Sequence, residues 1–215
     1  MYWRAAIVSM FLIGAGTAPA AHAVEITTYG TGLKACDAYL DARERDDPDQ
    51  IAFIDWLSGY LSGVNATSKH RNNLLGLSDV QGAMNWLDDY CRARPSVHFA
   101  QAVGMLLMVK TSSIGAHSVE VTSYGSGFKS CAEYLEARER QYMDGVAFMD
   151  RAAFIDWLSG YLSGVNAMSL STTNVLGHTE LPEAVQWLNG YCSAHATAPF
   201  TVAIEALMGA TRHGH

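Results

Sequence analysis

The stretch AFIDWLSGYLSGVNA stands at Ala52–Ala66 and again, unchanged over fifteen residues, at Ala153–Ala167. Such a repeat limits the fold before any motif is weighed, because what one copy folds into the other must fold into as well. The likeness runs on in both directions. AHAVEITTYGTGLKACDAYLDARER at Ala21–Arg45 returns as AHSVEVTSYGSGFKSCAEYLEARER at Ala116–Arg140, and Trp86, Tyr90, Cys91 and Phe99 return as Trp187, Tyr191, Cys192 and Phe200. The second copy carries six extra residues between Arg140 and Ala153. A unit of about 90 residues exceeds the solenoid periods and is large enough for a small domain. The organisation expected is therefore two tandem domains, 24–109 and 119–210, with a polar, Gly-containing linker over 110–118 and a short tail over 211–215.

Periodicity predicts four helices in each copy. The first is expected from Leu33 to Arg45, after the turn signal YGTG, with Thr31 as N-cap and Leu33, Cys36 and Leu40 on its apolar stripe. Its counterpart has Ser126 at the cap and Phe128, Cys131 and Leu135 on the stripe. The second helix is the repeated stretch itself. Phe53, Trp56, Leu57, Tyr60, Leu61 and Val64 fall on one side, while Gly59 and Gly63 lie four apart and predict close approach of another helix. Its other side carries Asp55, Ser58, Ser62 and Asn65, repeated as Asp156, Ser159, Ser163 and Asn166, and is the candidate polar binding face. A third helix is expected from a Ser78/Gln81 capping box, with its counterpart starting near Thr179 and Pro182 in the first turn. The fourth follows Pro95, with Phe99, Val103 and Leu106 facing the core, as do Phe200, Ile204 and Leu207 in the other copy. VEITTY and VEVTSY are too short to predict a sheet and read as extended leaders. The fold class is all-α, with two similar small bundles.

The first residues, MYWRAAIVSMFLIGAGTAPAAHA, have one arginine, a short apolar run and a small-residue A-x-A end, which predicts a signal peptide over 1–23. That run is too short to span a membrane, and no later segment is apolar enough to do so. An exported chain with four cysteines reads as a disulfide framework. Each copy has one cysteine in its first helix and one late in its third. Duplicated domains favour pairing within a copy, Cys36 with Cys91 and Cys131 with Cys192. Net charge is −7, with the acid excess spread over both copies, which argues against nucleic acid and anionic membrane as partners.

Catalytic and metal-binding spacings are not found. The eight histidines are scattered, with no H-x-x-x-H, H-E-x-x-H or C-x-x-C, so neither a metal nor a cofactor is expected. There is no G-x-S-x-G, and Ser58 and Ser62 lie inside a helix rather than at a nucleophile elbow. Asp55 and Asp156 could supply an acid/base pair, but a solvated helix face is the favoured reading of them. The chain is expected not to be an enzyme.

The order signal peptide, C-x-x-YL-x-A-R, WLSGYLSGxNA, WL-x-x-YC and a terminal amphipathic helix resembles small exported proteins of Gram-negative bacteria with the HdeA-like helical fold, including the Rap/Tai type VI secretion immunity family. The resemblance covers nearly all of both copies. It implies a periplasmic or secreted protein, each copy a four-helix bundle with one internal disulfide, that binds another protein without catalysis. The partner would be a toxin or effector in the immunity reading, or an unfolded client if the chain were an acid-stress chaperone of HdeA type. Those proteins are usually single-domain, and the motif marks their scaffold, so the resemblance implies no binding residue.

Overall fold

The computed structural model describes residues 26–45, 48–67, 80–111, 123–140, 145–169 and 174–213. The expected signal peptide, most of the expected linker and Ser78 lie outside the described residues. The first half consists of a 3-10 turn (Gly30–Leu33), α1 (Cys36–Glu44), α2 (Asp49–Thr67), α3 (Val80–Ala93) and α4 (Phe99–Thr111). The second half repeats this order: a 3-10 turn (Gly125–Phe128), α5 (Cys131–Arg140), α6 (Gly145–Met168), α7 (Leu181–Ala194) and α8 (Phe200–His213). The molecule is all-α, with eight α-helices among the described residues in two similar halves. Helix α4 runs into the expected linker, and α8 covers most of the expected tail.

The first helix of each half starts later than periodicity predicts. Gly30 and Gly125 have φ of 59° and 58°, the left-handed region that glycine enters without strain. The turn after each is 3-10, and Lys34 and Lys129 then take extended backbone, so α-helix begins only at Cys36 and Cys131. Thr31 and Ser126 therefore cap nothing and are buried instead. Leu33 and Phe128, expected on the core stripe, end the 3-10 turns ahead of that break and are 53% and 70% exposed.

Inside each half, helices close on a shared aromatic cluster. Tyr39, Phe53, Trp56 and Phe99 meet at ring distances of 4.9–5.8 Å, and Tyr134, Phe154, Trp157 and Phe200 repeat the arrangement. Burying a large side chain of this kind contributes about 1.5–3 kcal/mol. The disulfides Cys36–Cys91 and Cys131–Cys192 tie α1 to α3 and α5 to α7, as expected. The loop before α4 is pinned to the start of α1, with Cys36 donating to the Val97 carbonyl at 2.8 Å and Phe99 to the Lys34 carbonyl at 2.8 Å; Cys131–Ala198 and Phe200–Lys129 do the same in the second half. The six-residue insertion lengthens a helix: α6 has 24 residues where α2 has 19, and Asp150 on its first turns pairs with Arg140 at 3.4 Å.

The halves are joined through α2 and α6. Gly59 faces the carbonyl of Trp157 and Gly63 that of Tyr161, while Gly160 faces the carbonyl of Trp56 and Gly164 that of Tyr60. The contacts advance in the same direction along both helices, so α2 and α6 run parallel, related by an approximate twofold axis. A Cβ at Gly59 or Gly160 would lie 2.0 Å from the facing oxygen, a distance no side chain tolerates. Only glycine permits this approach, which answers the sequence expectation of a close neighbour.

The leaders lock this seam by crossing over. The Tyr29 amide donates to Ser163 Oγ at 2.9 Å and the Tyr124 amide to Ser62 Oγ at 2.9 Å, each reaching the opposite half. Each tyrosine's own carbonyl accepts from the tryptophan of its own half, Trp56 Nε1 at 2.8 Å and Trp157 Nε1 at 2.6 Å. The Tyr29 hydroxyl donates to Asn174, and its ring packs on the second core, as Tyr124 packs on the first. The two halves are thus interlocked rather than strung side by side.

Candidate functional site

The candidate polar face of the repeated helix is turned inward. Ser58, Ser62, Asn65, Ser159, Ser163 and Asn166 are buried, none more than 4% exposed. The reason is geometric: the α2–α6 seam requires small residues, and the serines flank the seam glycines. Their hydroxyls serve the structure, with Ser62 and Ser163 each donating to a carbonyl four residues back and accepting a leader amide from the other half. Asn166 donates to the Thr27 carbonyl at 2.9 Å and accepts from the Val175 amide at 2.7 Å. These six residues are buried, and Ser62, Ser163 and Asn166 bond across the halves, so they do not form an open binding face.

Asp55 and Asp156 differ from them. They lie one turn ahead of the seam glycines and share a pocket of about 280 Å³ with Thr31, Lys34 and Asp49. Asp156 accepts a hydrogen bond from Thr31 Oγ1 at 2.9 Å. Asp55 Oδ2 is buried without a hydrogen-bond partner among the described residues. Burial pushes the Asp55 carboxyl up to about 7, and the nearby Asp156 charge adds to this while Lys129 opposes it. Asp156 is raised too, again by burial, with Thr31 and Lys34 holding it back. Both carboxyls thus hold their protons more tightly than free ones, and only Asp156 has a hydroxyl donor in the pocket to offset this.

Two larger grooves flank the seam, one on each side of the twofold axis. The first, about 690 Å³, is lined by Leu33, Tyr60, His98, Gln101 and Ser163 among others. The second, about 340 Å³, is lined by Phe128, Tyr161, Pro199, Glu205 and Ser62 among others. Leu33 matches Phe128 in the repeat, Tyr60 matches Tyr161, His98 matches Pro199 and Ser163 matches Ser62. Each groove is built from both halves and exists only because the leaders cross.

The grooves have a common design. At each rim stands a large apolar side chain in water, Leu33 or Phe128. Each is also lined by a tyrosine that is almost wholly buried, Tyr60 at 6% and Tyr161 at 2% exposure, stacked on the neighbouring tryptophan. Neither hydroxyl is among the wholly buried polar atoms left without a partner in the described residues, so each opens onto its groove. A tyrosine hydroxyl that opens on a groove can donate to an acceptor entering there. Burial pushes Tyr60 up to about 12, and burial with the Glu205 charge raises Tyr161 further. Both therefore stay protonated at ordinary pH, as donors suited to binding rather than to proton abstraction.

Sequence reasoning placed Tyr60 and Tyr161 in the core, where they are, but not at a groove. It also placed Leu33 and Phe128 inside. The available signal was the glycine turn before them, which breaks the helix they were assigned to. Among the described residues no group of three or more His, Cys, Asp or Glu side chains stands ready to hold a metal, and no helix is long and apolar enough to cross a membrane. No protein-family model matches the chain, and no curated protein or solved structure is significantly similar to it.

Proposed function

We propose that this chain is an exported, non-enzymatic protein-binding module of the immunity or inhibitor type, docking its partner in the paired grooves beside the α2–α6 seam. The observation that carries the reading is the twinned combination of an exposed apolar rim residue and a mostly buried tyrosine whose hydroxyl opens on the groove. Aromatic and apolar anchors beside a buried polar contact are what protein interfaces use for most of their affinity. Two disulfides fit an oxidising compartment outside the cytoplasm, and with the signal-like first residues they support the periplasm. The resemblance to the Rap/Tai and HdeA-like proteins supports the same class through the cysteine-bridged bundle.

The acid-stress chaperone alternative requires protonation to loosen the fold. Asp55 acts in the other direction, because its proton is favoured in the folded state, so at this group acid favours the fold.

The test uses the full oxidised chain as bait in periplasmic extract, beside a double variant, Leu33→Ser with Phe128→Ser. Both side chains are exposed, so the variant keeps its helical content and melting temperature. A partner held by the parent and weakened at least about tenfold by the variant supports the reading. Capture of the same proteins at equal strength by both, or of none by the parent, overturns it.

A further inference from the structure

The twin grooves are not chemically equal, and the one difference in charge between them lies at a single repeat position. Glu205 on α8 lines the second groove, while its match on α4 is Gly104, beside which a Cβ would meet nothing within 4 Å. No carboxylate lines the first groove, where His98 and Gln101 supply the polar edge. Glu205 is exposed and makes no ion pair among the described residues. The lysine next to Phe128, Lys129, is held over the Phe154 ring with its ammonium 5.1 Å from the centroid. The second groove thus combines a free carboxylate, an exposed aromatic ring and a tyrosine hydroxyl, with its own cation engaged elsewhere.

We infer that the second groove is the specificity site for a basic side chain, arginine above lysine, presented by the partner protein, while the first groove takes a neutral segment of the same partner. The inference rests on the docking function proposed above and names the chemistry that one groove selects. A guanidinium entering there meets Glu205 for a charge-assisted hydrogen bond and the exposed Phe128 ring for a cation–π contact. The net charge of −7 suits a basic partner over the longer range.

The probes are two blocked tripeptides, acetyl-Ala-Arg-Ala-amide and its uncharged citrulline analogue, titrated onto the full oxidised chain by NMR. The arginine peptide is expected to shift resonances of Phe128 and Tyr161 but not those of Leu33 and Tyr60, and to bind about tenfold tighter than the citrulline peptide. Glu205→Gln, an exposed isosteric change, should erase that preference. Gly104→Glu should create it in the first groove, where there is room for the new side chain. Equal affinities for the two peptides, a preference that survives Glu205→Gln, or no binding of either overturns the inference. The two ideas fail separately: loss of capture on changing Leu33 and Phe128, with no arginine preference, leaves docking standing and removes only the basic-side-chain assignment.

Discussion

A carboxylate that loses water without gaining a donor holds its proton more tightly, and Asp55 is in that position. In the unfolded chain it titrates near 4; in the fold it is pushed up to about 7, chiefly by burial. The sign follows from linkage. The raised folded value means that the contribution of this group to stability is complete below about pH 4 and is lost as pH rises through about 7. Asp55→Asn keeps the shape and removes the titration. The variant should match the parent near pH 4 and exceed it by about 1–3 kcal/mol above pH 7 in urea unfolding, so the difference between the two should slope with pH. A constant difference over that range would show that Asp55 does not titrate as described. Asp156, the same residue of the repeat, has Thr31 as a donor, so repeated sequence does not give repeated chemistry.

At the scale of elements, the parallel α2–α6 pair depends on four glycines rather than on apolar area. Within a helix, glycine costs about 1 kcal/mol relative to alanine, so an alanine should stabilise wherever space allows. The two kinds of site can be compared directly. Gly190→Ala on α7 projects into open space and should raise stability by about 0.5–1 kcal/mol. Gly59→Ala or Gly160→Ala puts a methyl group 2.0 Å from a carbonyl oxygen and should lower it by about 2 kcal/mol or more despite the gain in propensity. Thermal melts of the three variants would decide the matter, and stabilisation by Gly59→Ala would refute the close seam.

For the whole molecule, the approximate twofold axis makes the chain a dimer of its own repeat, with the leaders exchanged. A half expressed alone, 24–111, keeps its core and disulfide but bares the glycine and serine side of α2 and frees a leader whose docking site belonged to the other half. Such a surface is self-complementary, since both halves carry the same seam residues. The isolated half should run as a homodimer in light scattering after size exclusion. A stable, fully helical monomer would mean that the halves do not depend on each other.

The sequence alone determined the all-α class, the duplicated unit, the cysteine pairing and the apolar side of each helix, because helical periodicity and the repeat are local properties of the chain. The place of closest packing was also legible, in Gly59 and Gly63, though not what approached them. Only the tertiary structure decided the rest. Asp55, Ser58, Ser62 and Asn65 read as an open polar face because polarity pattern measures chemistry and not what stands opposite. A parallel partner helix turned the serines and asparagine inward and left the carboxylates at a pocket's edge. Leu33 and Phe128 read as core because a stripe was extended through a turn whose positive φ ends it. The grooves were invisible in the sequence for the same reason the leaders' exchange was: each draws its walls from residues more than 100 positions apart, and which half a leader reaches is settled by where the opposite helix offers a serine oxygen to its amide.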